Sequence, residues 1–454
     1  MATITAISSD VLNAVLIPDA LRPDIATPLV EARGDQGGKM FDMTLSMNAK
    51  APTTQPVFST FTAGDIFVPI QANGAGAAAG SPQTITLNAA QITSGAAYVK
   101  VGHVVRYNDD TLGIVTAMSS PVSTITIENL VAAENLPAVA ANEIITIISH
   151  VSATGGRTPS GTVRTYEKDT FQCTIWDGNV QAAGGSEELW WTSTTLGETA
   201  RTIFELGLWE ESIRMAGYMS AMGLYGKTSD TTIADPNSAT NGVNGVYKTS
   251  EGLLAYAERK GTTDTYNPGF LSLLDFYAAD ETLIQQFVGN QIMVWTGDKA
   301  SHEKDQVLGD FLKNTNVVFT QGEKMAEYFG GNAMLAMKFG FNSIIFSERT
   351  YSFCSMPLFW HPQFGGAAGY NDRHTMVFIP TSKAETYGGY IPRIRYRYRN
   401  YAGNNRLMEI WNTSGSGGNP VNYVLRDDIN NHNFRAEGGW EFTAGNQLYT
   451  LKAA

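Results

Sequence analysis

Along this chain the spacing of apolar residues changes period several times, and each change marks a predicted element. Residues 1 to 38 hold no sustained period. Pro18, Pro23 and Pro28 break any long helix and Gly34, Gly37 and Gly38 close the stretch, so an extended or partly helical arm is expected, of a kind that packs on something else. Phe41, Met43, Leu45 and Met47 then alternate with Asp42, Thr44 and Ser46, the period of a half-buried strand, before a Pro-rich turn over Pro52 to Pro56. From about Gln71 to Val151 come TITLNAAQI, YVKVGHVVRY, LGIVTAM, STITIENLV and EIITIISHV, short β-branched runs separated by Gly, Asn, Asp and Pro. They predict a small all-β module, barrel or sandwich, inserted into a host domain. Its opening, GAGAAAG from Gly74 to Gly80, leads into Ser81-Pro82 and a strand rather than a helix, so it reads as a flexible linker and not as a phosphate cradle.

After Gly155-Gly156 the strands resume with TVRTYEKDTFQCTIW, and then the period lengthens. Thr195-Leu196-Gly197-Glu198 has the form of a capping box, and the longest predicted helix runs from Leu196 to Tyr225, with Ile203, Leu206, Ile213, Ala216, Gly217, Ala221 and Leu224 on one broad face. Gly207, Gly217 and Gly223 each lower its propensity by up to ~1 kcal/mol, which close packing against another backbone would explain. A polar passage then surrounds the short helix SEGLLAYAERK. Next, GFLSLLDFYAADETLIQQF, QIMVWTG, SHEKDQVLGDFLKN and NVVFT alternate helix and strand, the signature of an α/β subdomain. The last hundred residues are β-rich and aromatic: NSIIFSERTYSFCSMPLFW, HTMVFIP, YIPRIRYRYRN, RLMEIWN and GGWEFTAGNQLYTLKA. In the third of these, Arg393, Arg395, Arg397 and Arg399 alternate with Pro392, Ile394, Tyr396 and Tyr398, which places four cations on one face of a strand.

Composition narrows what these elements can do. At 454 residues two or three domains or subdomains are expected. A charged fraction of 16% beside a hydrophobic fraction of 43% implies a surface built from Ser, Thr, Asn, Gln and Gly, or hidden in interfaces. The net charge of -12 argues against a general nucleic-acid binder, whose affinity comes from Lys and Arg on phosphate. The first residues lack a basic region ahead of an apolar core, and no run approaches the ~18 to 20 apolar residues of a spanning helix, so a soluble protein made in a cytoplasm is expected. Cys173 and Cys354 form no framework and read as buried free thiols. His103, His150, His302, His361, His374 and His432 fall at no metal-ligand spacing; His302-Glu303 opens like a zincin helix, but Gln306 stands where the second histidine belongs. Glu187-Glu188 and Asp427-Asp428 are the adjacent carboxylates, and Trp190-Trp191, Trp209 and Phe359-Trp360 read as core or protein-interface anchors rather than a stacking platform. No catalytic residue, cofactor or metal is expected.

The order of these parts resembles the Hong Kong 97-like major capsid proteins of tailed bacteriophages. The features that carry the resemblance are the arm, the ribbon strands KMFDMTLSMNA and TVRTYEKDTFQCTIW, the helix Leu196 to Tyr225, the α/β stretch from Tyr266 and the returning arginine strand. TFQCTIWDGNVQAAGGSEELWW before the helix and GLWEESIRMAGYMSAMGLYGK at its end look like the matching junctions. The resemblance implies an α+β Hong Kong 97-like fold: arm 1–38, extended loop 39–65 and 152–187, inserted β-rich domain 66–151, peripheral domain with a spine helix 188–265 and 386–454, and axial α/β domain 266–385. It further implies hexamers and pentamers self-assembling into an icosahedral head around double-stranded DNA, without sequence-specific binding. Expected partners are a portal, a separate scaffolding protein and a possible decoration protein, with no membrane; the expected place is the virion capsid, after assembly in the bacterial host cytoplasm. Depleted charge and abundant Tyr, Trp, Phe and Met suit large contact patches. Arg393, Arg395, Arg397, Arg399, Trp190 and Trp191 are the candidate subunit-interface residues, the arginines through carboxylates of a neighbouring strand or subunit, with contact to the enclosed DNA as the alternative for the arginine face. The alternatives are a tail, sheath or adhesin subunit, or an enzyme carrying a β-module.

Overall fold

The computed structural model describes residues 39–62, 69–89, 99–119, 123–131, 133–152, 167–183, 190–191, 201–234, 244–286, 288–314, 343–346, 349–365, 372–386, 389–401, 403–414 and 429–454. The arm 1–38, the capping box at Thr195, the strand NVVFT and both adjacent carboxylate pairs lie outside these. The chain is mixed α+β, rich in short strands. Thr60–Asp169 forms one compact unit, and the rest of the chain the other.

In the larger unit the first element is a helix, α1 (Lys39–Ser46), where alternation had predicted a strand. The same residues also satisfy a spacing of three and four through Met40, Met43 and Met47, and that reading wins because it buries Met40, Phe41 and Thr44 together. The Phe41 amide donates to Ser220 Oγ at 3.0 Å, which ties α1 to the long helix α2 (Ile203–Tyr225). That helix starts seven residues after the expected Leu196, and Arg201–Thr202 pairs as a strand with Trp190–Trp191. Its buried stripe runs through Glu211, Met215, Met219, Ser220 and Leu224, while Ile213 and Ala216 are only half-buried. Gly223 gives a reason for one of the helix glycines: a Cβ there would stand 2.4 Å from the Trp440 ring, whose Nε1–H donates to the Met219 carbonyl at 3.0 Å.

Two six-stranded sheets frame this unit, beside two-stranded ribbons, with helices α3 (Leu253–Lys260), α4 (Leu273–Gln285) and α5 (Asp298–Asn314). The first sheet takes Lys50–Thr53, Ile394–Tyr401, Ile429–Phe442 and Thr174–Ala183 in that order, with Glu409–Ser414 also pairing on Ile429–Phe442. The second runs Thr262–Tyr266, Tyr449–Ala453, Met376–Pro380, Gln291–Thr296, Arg349–Ser355 and Ser343–Phe346. Phe276, Ala279 and Leu283 of α4 share a buried cluster with Ile292, Val294, Phe378 and Tyr449 of this sheet. The C-terminal strand belongs here, parallel to Thr262–Tyr266 and antiparallel to Met376–Pro380. Of the stretch 386–454, assigned with 188–265 to the peripheral domain, Ile394–Tyr401 and Ile429–Phe442 lie in the first sheet and Tyr449–Ala453 in the second. Cys354 is exposed rather than buried.

The smaller unit is an antiparallel sheet ordered Ile70–Gln71, Ile144–His150, His103–Arg106, Leu112–Met118, Thr124–Asn129 and Gln83–Thr86. Its two edges meet: Asn73 N–H donates to Thr86 O and Asn88 N–H to Gln71 O, both at 2.9 Å. Closure into a barrel leaves no open edge around the interior of Ile85, Val105, Val115, Ile125, Ile127 and Ile145. GAGAAAG is not the free linker expected, since Ala77 and Val139 exchange backbone hydrogen bonds at 2.9 and 2.8 Å. Gly76 turns there at φ +66°, where a Cβ would lie 2.3 Å from the Val139 carbonyl oxygen.

Candidate functional site

The arginine strand, Ile394–Tyr401, lies between Lys50–Thr53, to which it is parallel, and the long strand Ile429–Phe442, to which it is antiparallel. Pleating separates its faces as the sequence predicts. Tyr396 is fully buried on the core side, its ring 5.1 Å from Phe41, 5.4 Å from Trp440 and 6.4 Å from Trp176. Gly438 makes room for it, because a Cβ there would lie 2.3 Å from the Tyr396 hydroxyl. Burial foremost, then Cys173 and Glu437, hold the phenol far above its ordinary pKa. Burial, with Glu437 beside it, also pushes the Cys173 thiol up to about 12, so this cysteine stays a neutral packing group.

On the opposite face the arginines meet two carboxylates of the long strand, Glu437 and Glu441, which are 1% and 0% exposed. Arg395 forks onto Glu441 through Nε at 3.0 Å and Nη2 at 2.6 Å, and Arg397 Nε stands 3.0 Å from the same carboxylate. Arg399 and Arg406 each donate through Nη1 to one oxygen of Glu437, both at 2.5 Å. Aromatic faces complete the setting: the Arg397 guanidinium lies 5.6 Å from the Phe58 ring centre, and those of Arg399 and Arg406 lie 4.8 and 4.6 Å from that of Tyr401. Burial foremost, with Arg395 adding repulsion, lowers the Arg397 pKa against the opposing pull of Glu441. The ion pairing expected of these arginines thus occurs between strands of one chain. Two carboxylates this deeply buried need this many donors, since a buried carboxylate left unpaired costs several kcal/mol.

Arg393 differs from its three companions. Its Nε donates to the Ser382 carbonyl at 2.7 Å and Nη2 reaches Ser382 Oγ at 3.3 Å; burial holds its pKa below the ordinary value. Trp190 and Trp191 form a two-residue strand against Arg201–Thr202 and are not part of the arginine sheet. Glu437 and Glu441 are the functional residues that sequence reading missed. Their separation of four puts them on one face of a strand, which is a local signal, but the register that sets them opposite the arginines is not.

Elsewhere the chemistry is also occupied by structure. Glu303, from the zincin-like stretch, accepts the Gly269 amide at 2.9 Å and pairs with His374 Nδ1 at 2.8 Å, so it fastens α5 to the turn before Met376–Pro380. Among the described residues no group of three or more His, Cys, Asp and Glu could hold a metal ion, and no helix is long and apolar enough to cross a membrane.

No family model and no curated protein matches this chain. Among solved structures it is similar to one of Mycobacterium phage Bobi, at 10% identity and a TM-score of 0.39, over 99% of each chain. It is also similar to the capsid of the cyanophage P-SCSP1u, at 10% identity and a TM-score of 0.34, over 68% of this chain and 81% of that one. The capsid of Myoviridae phage XM1 gives 9% identity and a TM-score of 0.34, over 67% of this chain and 81% of that one. Similarities this low leave the functional reading to the chain's own residues.

Proposed function

We propose that this chain is the major capsid protein of a tailed bacteriophage, a Hong Kong 97-like subunit that self-assembles through hexamers and pentamers into the icosahedral head enclosing double-stranded DNA. The observation that carries this reading is the order of parts. A long helix, Ile203–Tyr225, packs with a sheet whose strands come from residues 50–53, 174–183, 394–401 and 429–442, and a separate α/β sheet accompanies it. The paired strands Val57–Thr62 and Glu167–Gln172 flank a barrel that has its own core. In this reading the helix is the spine, the first sheet the peripheral domain, the second the axial domain, the paired strands the extended loop, and the barrel the inserted domain within 66–151.

The role is structural rather than catalytic. Arg395, Arg397 and Arg399 keep 18%, 24% and 20% of their side-chain surface exposed while clamped to Glu441 and Glu437, and with Arg393 they offer a cationic rim to an acidic neighbouring copy. Trp190 and Trp191 are assigned to subunit contacts separate from the arginine sheet. A portal and a separate scaffolding protein are the partners in this reading, a decoration protein is optional, and the virion, assembled in the host cytoplasm, is the place. A net charge of -12 suits a container that must not grip its DNA. Velocity sedimentation of the expressed full-length chain, alone and with a co-expressed scaffold, tests the reading: particles far heavier than one chain are expected, and a single-chain species under both conditions would overturn it.

A further inference from the structure

Helix α4 has two unlike faces. Phe276, Ala279 and Leu283 are buried against the second sheet. The outer face carries Leu274, Tyr277 and Ile284, which are 74%, 49% and 43% exposed, with the exposed Glu281 among them. Steps of three and four residues set these four in one stripe along the helix. Phe270, 77% exposed, stands just ahead of it. At roughly 200 Å² for a whole side chain of this size, the four apolar groups leave on the order of 500 Å² in water. A patch of that extent is among the largest a monomer shows, and such patches are commonly contact sites.

The stripe also reads alike in both directions. Leu274 and Ile284 lie equally far on either side of Ala279, and so do Tyr277 and Glu281. We propose that this face of α4 is a two-fold contact through which two copies of the chain pair, helix on antiparallel helix. With the axis at Ala279, Leu274 meets Ile284 of the second copy and Tyr277 meets Glu281, each pairing occurring twice. Apolar groups then face apolar groups, and a phenol that donates faces a carboxylate that accepts. One centre serves both pairings, a match that a second copy supplies by symmetry alone. The two stripes together remove on the order of 1,000 Å² from water, the size at which an interface becomes specific. An isologous contact closes after two copies, so it is additional to the ring contacts of hexamers and pentamers and does not rest on the shell reading.

The test uses full-length chains, one carrying Tyr277→Cys and the other Glu281→Cys, both with Cys354→Ser because Cys354 is exposed. They are co-expressed and oxidised with diamide. Helix axes about 8–10 Å apart bring opposed positions within disulfide reach, while the remaining Tyr277 and Glu281 keep their own pairing. Like positions are offset by about 6 Å along the axis, so linked pairs should exceed those of either variant alone roughly tenfold. Adding Leu274→Glu to both chains should lower the linkage roughly tenfold. Linkage no greater than in the single variants, or indifferent to Leu274→Glu, would overturn the proposal. Light scattering gives a second reading without new cysteines: the smallest species of the unsubstituted chain should hold two copies and that of Leu274→Glu one, and one copy in both would also overturn it. Linked pairs that never build shells would leave this contact standing and contradict the shell reading; shells without the linkage would do the reverse.

Discussion

Glu441 sits where water does not reach it, with Arg395 forked onto it and Arg397 alongside, so removing its charge leaves two guanidiniums without their counter-ion. Glu441→Gln is expected to destabilise the larger unit by about 3–5 kcal/mol, read as a lowered urea midpoint. Lys248→Gln, which removes an exposed partner 4.0 Å from Asp230, should shift it by less than ~1 kcal/mol. Equal shifts from the two would refute the clamp. At this scale the sequence was legible wherever a rule is local. The period of two in RIRYRYR placed Tyr396 in the core and the arginines opposite, because pleating alone decides that. The identity of their partners depends on pairing across dozens of residues, as does the exposure of Cys354, and no local pattern encodes either.

Elements were legible where one period dominated. The strands of the smaller unit and helices α3 to α5 sit where β-branched runs and amphipathic spacing predict them. At α1 two periods coexist in KMFDMTLS, and docking on Ser220 of α2 selected the helix. In α2 the expected face is buried at Gly217 and Leu224 and half-buried at Ile213, Ala216 and Ala221; nearly every face is apolar, so the neighbours rather than the pattern choose how deeply each residue is buried. Gly223→Ala measures that choice. Alanine raises helix propensity, yet its Cβ would meet the buried Trp440 ring at 2.4 Å, and a net loss of about 2 kcal/mol is expected in denaturant titration. Among the described residues Gly207→Ala meets only a Val180 methyl at 3.1 Å, so its loss should be clearly smaller.

The barrel carries a pH dependence of its own. His103 and His150 face each other on paired strands with ring centres 5.3 Å apart. Burial first, then His150 and Lys100, lowers the His103 pKa below its ordinary 6.5. The unfolded chain therefore binds this proton more readily, so stability is full above pH 6.5 and declines as pH falls toward the lowered folded value. Hydrogen-exchange protection factors across residues 103–150, corrected for the intrinsic pH dependence of exchange, should fall through that window, and His103→Gln should flatten the trend.

For the whole molecule, the mixed α+β class could be read from the sequence because strand-like and helix-like stretches differ in composition and period. What could not be read is how distant segments share a sheet. The first sheet assembles four stretches spread from Lys50 to Phe442, and the last strand crosses to the second sheet to pair with Thr262–Tyr266. Such non-local pairing leaves no sequence signature beyond strand propensity. The proposed role requires this chain to build a closed shell with copies of itself. Electron microscopy of the expressed full-length protein tests that most directly: rings, tubes or closed shells with hexameric units are expected, while a uniform field of single-chain particles at high concentration, with and without scaffold, would contradict it.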